Sequence, residues 1–248
     1  MKYKLGKFGE FVKEYEKARR GYPRKIFSFL KNYIFHKKPS ILDLGCGTGI
    51  STRQLSKIGE VIGCDPDTQM LQAAKTHQKI NKEKYVVGST HNLPFDNTTF
   101  DIVTAFSAFH WFNDRKSIAE IKRVLKPGGI IFVVNKTGVK SWGNGYRKNI
   151  INTIGQEIAR FREDSYNPKK DLQMNGFKKI KIKEWKLSEF FTLKNALEYV
   201  QSVSIWSSVP IHQRLRAKEG LKRYFQKMLK EKGKIERKIV VKVVVGLK

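Results

Sequence analysis

The run ILDLGCGTGIST occupies residues 41–52, and the rest of the chain is read outward from it. An apolar stretch carrying one acid, Asp43, leads into three glycines within five residues, Gly45, Gly47 and Gly49. Apolar residues that meet glycine directly spell a buried strand entering a tight turn. Glycine reaches backbone angles closed to other residues and lets a ligand approach the main chain. The helical pattern that follows starts with N–H groups that have no partner within the helix. In an open α/β sheet such a turn lies at the carboxyl end of a strand, where ligands bind. Alone the pattern is common, and a tight turn with nothing against it satisfies it equally.

Strand-like runs recur around this stretch. SILDL (40–44), EVIGCD (60–65), KYVVGS (84–89), FDIVTAFSA (100–108) and GIIFVVN (129–135) are short and almost continuously apolar, as expected of strands covered on both faces. Helical patterns lie between them over about 50–58, 68–78 and 114–125, with Asp67 as N-cap of the second and Lys126-Pro127-Gly128-Gly129 ending the third. Upstream, Phe8, Phe11, Val12 and Tyr15 have helical spacing up to Arg19; Tyr22-Pro23 breaks it, and a second helix covers about 24–35. Past Asn135 the pattern predicts helices near 146–162, 193–203 and 214–230 and strands near 177–185 and 238–245. Strands alternating with helices predict an α/β fold, a Rossmann-like, doubly wound, mostly parallel sheet with helices on both faces. The last two strands bring the sheet to seven, and the late helices form a cap. The expected organisation is one domain over 1–248: N-terminal lid helices (1–36), a ligand-binding core (38–136), and cap elements with the final strands (137–248).

Totals narrow the class. The chain has 248 residues and 40% apolar composition, enough for one sizeable core. No run approaches the roughly 20 apolar residues of a membrane helix, and the basic start lacks the apolar centre of a signal peptide. The expectation is a soluble cytoplasmic protein, monomeric or homodimeric. The two cysteines, Cys46 and Cys64, have no metal-ligand spacing and build no disulfide framework. The net charge of +28 is uneven: +9 over 1–40, +2 over 41–135 and +17 over 136–248. Basic flanks fit an anionic partner, and they equally fit a surface solvated by dispersed lysines.

Asp65 sharpens the reading of the turn. It ends the second strand, 22 positions after Asp43. A carboxylate there overhangs the same crevice and can accept two hydrogen bonds from a ribose diol. The glycines read GxGxG, whereas the usual nicotinamide dinucleotide spacing is GxGxxG.

Four separated segments, LDLGCGTG, the acidic end of VIGCD, VVGSTHNLPF followed by FDIVTAFSAFHWF, and RVLKPGGIIFVV, resemble the successive motifs of class I S-adenosylmethionine-dependent methyltransferases over about residues 38–136. YEKARRGYP (15–23) and SAFHWF (107–112) are similar to segments of the trans-aconitate methyltransferase-like, type 11 group, although Arg20 stands where that group has proline. The resemblance implies S-adenosylmethionine as cofactor, S-adenosylhomocysteine as product and no metal. It implies that Gly45, Cys46, Gly47 and Gly49 line the methionine part, with Asp43 toward its amino group. Asp65 would hold the ribose, Pro66 and Met70 would flank the adenine, and Ser89 and Thr90 would touch its edge. Phe106 would back the sulfonium. Cys46 reads as a small residue suited to a tight turn, with no redox duty.

Methyl transfer of this kind needs alignment above all, and a base only where the acceptor must lose a proton. His110, past the fourth strand, is either that base or an acceptor contact, or it packs on Trp111. Trp111 either walls the acceptor or belongs to the core. Tyr15, Arg19 and Tyr22 would close over the site, with Arg19 facing a carboxylate or merely solvated. The fourth strand carries no Asn/Asp-Pro-Pro-Tyr/Phe segment, and both cysteines lie on the cofactor side. Those absences disfavour adenine or glutamine amino-group methylation and cytosine C5 chemistry. The expected acceptor is a small molecule offering a carboxylate, hydroxyl or ring carbon, with nucleic-acid binding by the flanks incidental. A nucleic-acid methyltransferase and a non-catalytic cofactor-binding protein are the competing readings.

Overall fold

The computed structural model describes residues 12, 16, 18–35, 37–78, 83–138, 143–158 and 166–248. Tyr15 and most of the helix expected up to Arg19 lie outside them. The strands are β1 (Ser40–Leu44), β2 (Glu60–Asp65), β3 (Glu83–Val87), β4 (Phe100–Phe106), β5 (Leu125–Gly138), β6 (Lys178–Phe191) and β7 (Ile235–Leu247). They form one sheet in the order β3-β2-β1-β4-β5-β7-β6. β1 pairs in parallel with β2 and β4, β2 with β3, and β4 with β5. The chain winds from β1 to one side through β2 and β3, then resumes on its other side at β4. The switch point therefore falls between β1 and β4, beside the glycine turn.

The helices are α1 (Arg24–Lys31), α2 (Ile50–Leu55), α3 (Thr68–Thr76), α4 (Arg115–Val124), α5 (Gly143–Ile154), α6 (Pro168–Met174), α7 (Leu193–Gln201), α8 (Ser204–Ser207) and α9 (Arg214–Lys232). Asp67 caps α3 as expected, its side chain accepting from the N–H groups of Gln69 and Met70. Asp114 does the same for α4 with Lys116 and Ser117.

Three elements differ from the sequence reading. Lys126–Gly129 does not precede β5 but lies within it. Phe100 pairs with Leu125 and Ile102 with Ile130, so four residues of β5 loop out opposite Asp101. Gly128 takes φ 75° there, and Lys126 Nζ reaches Asp101 Oδ1 at 2.9 Å. Helix α6 was not expected, although Asn167 caps it and Pro168 opens it, a favoured start. β6 runs past the expected 185 to Phe191, and it is the last strand of the sheet order. Its exposed Lys178, Lys179, Lys181 and Lys183 place charge on an edge, where strands of other chains would otherwise pair.

The chain forms two compact units, one of residues 20–135, 165–184 and 242–248, the other of 1–19, 136–164 and 185–241. In the first, Leu42, Leu44, Val103 and Ala105 of the central strands pack with Phe109, Ile118 and Ile121. In the second, Ile150 and Ile154 of α5 pack with Tyr199 and Val200 of α7 and with Ala217, Leu221 and Phe225 of α9.

Gly220 sets how closely α9 meets α5. A Cβ on it would lie 2.3 Å from Thr153 Oγ1 and 2.8 Å from its Cγ2. That hydroxyl is held by donating to the Asn149 carbonyl at 2.7 Å. Helix propensity alone favours alanine over glycine by about 1 kcal/mol, but overpacking costs about 1–3 kcal/mol. Gly220→Ala should therefore lower stability in urea denaturation. Adding Thr153→Ala, which vacates the space, should turn the loss into a gain; a stabilised Gly220→Ala single variant would refute this packing.

Candidate active site

All three glycines of the turn have positive φ, 64° at Gly45, 53° at Gly47 and 77° at Gly49, where an L side chain is strained. They serve different neighbours. A Cβ on Gly45 would fall 2.5 Å from Ala108 Cβ, and one on Gly49 would fall 2.3 Å from Tyr85 Oη. These two glycines let the turn close against its own unit. A Cβ on Gly47 meets nothing within 4 Å, so this residue presents bare main chain to open space. The turn is tied to β2 through Gly45 N–H, which donates to the Cys64 carbonyl at 2.8 Å.

Two carboxylates organise the turn, and they take different kinds of partner. Asp43 is wholly buried. Its Oδ2 accepts from Ser51 Oγ at 2.7 Å and Thr52 Oγ1 at 2.8 Å, and its Oδ1 from Thr104 Oγ1 at 2.8 Å. Desolvation raises its pKa to about 6 against those three lowering bonds, with the Asp65 charge adding to the rise. Asp43 thus points inward, and it links β1 to the first turn of α2 and to β4. Asp65, at the end of β2, is 9% exposed. Its Oδ2 accepts from Gly47 N–H and its Oδ1 from Asp67 N–H, each at 2.9 Å. Burial pushes its pKa up, while the two main-chain donors pull it down. A carboxylate has about four acceptor sites, so each oxygen retains capacity for a further donor.

The remaining expected contacts are distributed around this centre. Pro66 is exposed, whereas Met70 is buried. Ser89 is exposed and bridges to Asn92, with its Oγ 3.3 Å from His91 N–H. Thr90 Oγ1 lies 3.1 Å from Ser117 Oγ, which donates to Asp114 at 2.8 Å. Phe106 stacks on Phe27 at 5.7 Å and meets the Tyr22 ring edge-on at 4.7 Å. Burial raises the pKa of Cys46 well above the usual thiol value and that of Cys64 to about 12, so neither is poised as a nucleophile.

His110 and Trp111 lie on a 3-10 turn, Phe109–Trp111, just past β4. The imidazole is half-buried, 4.8 Å from the Trp111 ring and 5.9 Å from that of Tyr166. Tyr166 in turn donates to Asn135 Oδ1 at 3.1 Å. Trp111 is partly buried and packs on the core. Arg19 belongs to the other unit, where it donates to the Ser202 carbonyl at 3.2 Å and lies 5.1 Å above the Tyr199 ring.

Tyr22 was expected at this site; the residues that hold it, Gln54 and Ser107, and the hydroxyls around Asp43 were not. Tyr22 is held on both sides by Gln54: its N–H donates to Oε1, and its carbonyl accepts from Nε2, both at 2.8 Å. Tyr22 Oη donates to Ser107 Oγ at 2.9 Å. Ser107 directly follows β4 with φ 55°, rare for a non-glycine residue and common at functional sites. Ser51, Thr52 and Thr104 carry no motif of their own. Their only sequence signal is a hydroxyl at a position that a helix or a parallel neighbour brings to Asp43.

Residues 42–133 match the sequence profile of the methyltransferase domain family. This part of the chain is a class I S-adenosylmethionine-dependent methyltransferase domain of the type 11 group. An uncharacterised methyltransferase of Mycobacterium tuberculosis is 32% identical over 131 residues, 52% of either chain. A methyltransferase-like protein of Schizosaccharomyces pombe is 26% identical over 227 residues, 85% of either chain. The chain spans about half the length of the first of these curated relatives. A phosphoethanolamine N-methyltransferase of Haemonchus contortus, solved with phosphomonomethylethanolamine and S-adenosylhomocysteine, superposes with TM-score 0.58 at 19% identity, over 97% of this chain and 57% of that one. At that identity the likeness is one of fold.

The raised pKa of Asp43 has a measurable sign. Below about pH 4 its carboxyl is protonated in the folded and unfolded states alike. Between about 4 and 6 the folded chain holds that proton more tightly, so this group's contribution to stability falls as pH rises. At 1.36 kcal/mol per unit the change is on the order of 2–3 kcal/mol. Asp43→Asn lacks it. The stability difference between wild type and variant, followed by urea denaturation from pH 4 to 7, should shift against the wild type as pH rises. A difference independent of pH would contradict the burial of this charge.

Proposed function

We propose that this chain transfers a methyl group from S-adenosylmethionine to a small-molecule acceptor. The observation that carries the reading is the pairing of Asp65 with Gly47: a strand-end carboxylate with spare acceptor capacity, bonded to a glycine beside which a Cβ would meet nothing. That donor set fits the cofactor. A ribose diol offers two hydroxyl donors to Asp65, and a methionine chain needs a main-chain surface without side chains, as at Gly47. On this reading Pro66 and Met70 flank the adenine, and Ser89 and Thr90 reach its edge. Asp43, turned inward, positions the turn and needs no direct contact with the ligand.

The bound cofactor supplies a methyl carbon on a sulfonium. The chain's own work is to place an acceptor in line with it. Positioning of that kind lowers a barrier by about 7–11 kcal/mol. Phe106 ends β4 at the switch point and Ser107 follows it, with Tyr22 bonded to the latter. His110, half-buried between Trp111 and Tyr166, is offered as the group that takes a proton from the acceptor or orients it. A carboxylate, hydroxyl or ring carbon is the atom type we assign.

Calorimetry should find S-adenosylmethionine and S-adenosylhomocysteine binding one per chain, with a nicotinamide dinucleotide ignored. Asp65→Ala should weaken both by about 1.5–3 kcal/mol, the range for hydrogen bonds to a charged group, with an unchanged circular dichroism spectrum. No binding by the wild type would remove the proposal.

With an acceptor identified by screening small acids and hydroxylated rings, His110→Ala should lower turnover by about 10²–10⁴-fold where His110 takes the proton, the span of general acid–base catalysis, and by less where it only orients the acceptor. Affinity for S-adenosylhomocysteine should stay the same. Unaltered turnover would exclude His110 from the reaction.

A further inference from the structure

We propose that the outward face of α9 docks this protein onto an anionic lipid surface. The helix buries Ala217, Gly220, Leu221, Phe225 and Met228. Around the rest of its circumference and at its C-terminal end it exposes seven cations, Arg216, Lys218, Lys222, Arg223, Lys227, Lys230 and Lys232, against two acids, Glu219 and Glu231. Lys227 and Glu231 stand one turn apart at 3.7 Å and offset each other; seven cations against two acids leave these residues with a net charge of +5.

The charge is joined by apolar surface. Ile211, on the 3-10 turn that leads into α9, is 79% exposed, and Leu215 is 74% exposed. These are among the most exposed large apolar side chains of the described residues. Leu215, Lys218 and Lys222 follow the i, i+3, i+7 spacing of a single helical stripe, with Ile211 on the turn just ahead of it. The stripe therefore starts apolar and continues cationic along one face.

This combination selects the partner. A nucleic-acid backbone satisfies cations but gives two aliphatic side chains nothing to bury against. An anionic bilayer satisfies both, because headgroups attract the lysines and the headgroup–acyl boundary takes up Ile211 and Leu215. With only two apolar residues, attachment is peripheral and reversible. Among the described residues no helix is long and apolar enough to cross a membrane. Attraction by exposed charges falls off within a screening length of about 8 Å at physiological ionic strength, so docking requires this face to lie against the lipid.

Co-sedimentation tests it, with ribonuclease-treated full-length protein and vesicles of phosphatidylcholine alone or mixed in equal parts with phosphatidylglycerol. Binding is expected to the mixed vesicles and not to phosphatidylcholine. It should weaken with added salt. Lys218→Glu with Lys222→Glu should weaken it at least about thirtyfold, since each cation near an anionic surface contributes about a factor of five to ten. Ile211→Ser with Leu215→Ser should also weaken vesicle binding while leaving retention on a single-stranded RNA column intact. All variants should keep the wild-type circular dichroism spectrum. Absence of binding to the mixed vesicles overturns the proposal. So does vesicle binding indifferent to the Ile211 and Leu215 changes, which would make the face a general polyanion surface of the kind that serves RNA.

Discussion

The carboxylate of Asp43 joins the three elements from which the site is assembled. It leaves β1, collects the hydroxyls of Ser51 and Thr52 at the start of α2, and reaches Thr104 on β4. A wholly buried carboxylate without such partners would cost several kcal/mol. With them, the strand, the helix and the neighbouring strand are held at one spacing, and the glycine turn must span it. The left-handed angles at Gly45, Gly47 and Gly49 are the backbone's answer to that constraint. Asp65 then ties the outer side of the turn to the end of β2 through Gly47.

The two acids illustrate how similar residues at similar strand ends acquire different duties. Asp43 accepts from three side-chain hydroxyls and contributes rigidity. Asp65 accepts from two main-chain N–H groups, one on each oxygen, and keeps more acceptor capacity. Burial raises the pKa of both. The same division separates the glycines, two shaped by Ala108 and Tyr85 and one facing open space.

Much of the first unit was legible in the sequence because its information is local. Continuous apolar runs named β1 to β4, the glycine spacing named the turn, and Asp67 announced α3. What escaped depends on contacts between distant positions. Nothing near Thr104 signals that parallel pairing brings it beside Asp43. Ser107 looks ordinary until Tyr22, far away in sequence, is seen to hold its hydroxyl. The Lys126–Gly129 segment reads as a plain turn, and only its pairing partners show that β5 has begun before it. Helix α6 is too short for periodicity to reveal it, although Asn167-Pro168 carried a start signal. Charge on β6 masked its length, since an edge strand needs no apolar continuity.

The two buried thiols have a kinetic consequence. Cys46 lies in the glycine turn and Cys64 at the end of β2, and burial disfavours the thiolate of each. Alkylating reagents attack thiolates, so neither residue can be modified until its surroundings open. Their modification rates then measure the opening equilibrium of the turn and of the strand end separately, as amide exchange does for the backbone. The two sulfurs are in effect built-in probes of how often the crevice loosens, and any molecule that settles against Gly47 should slow the clock at Cys46.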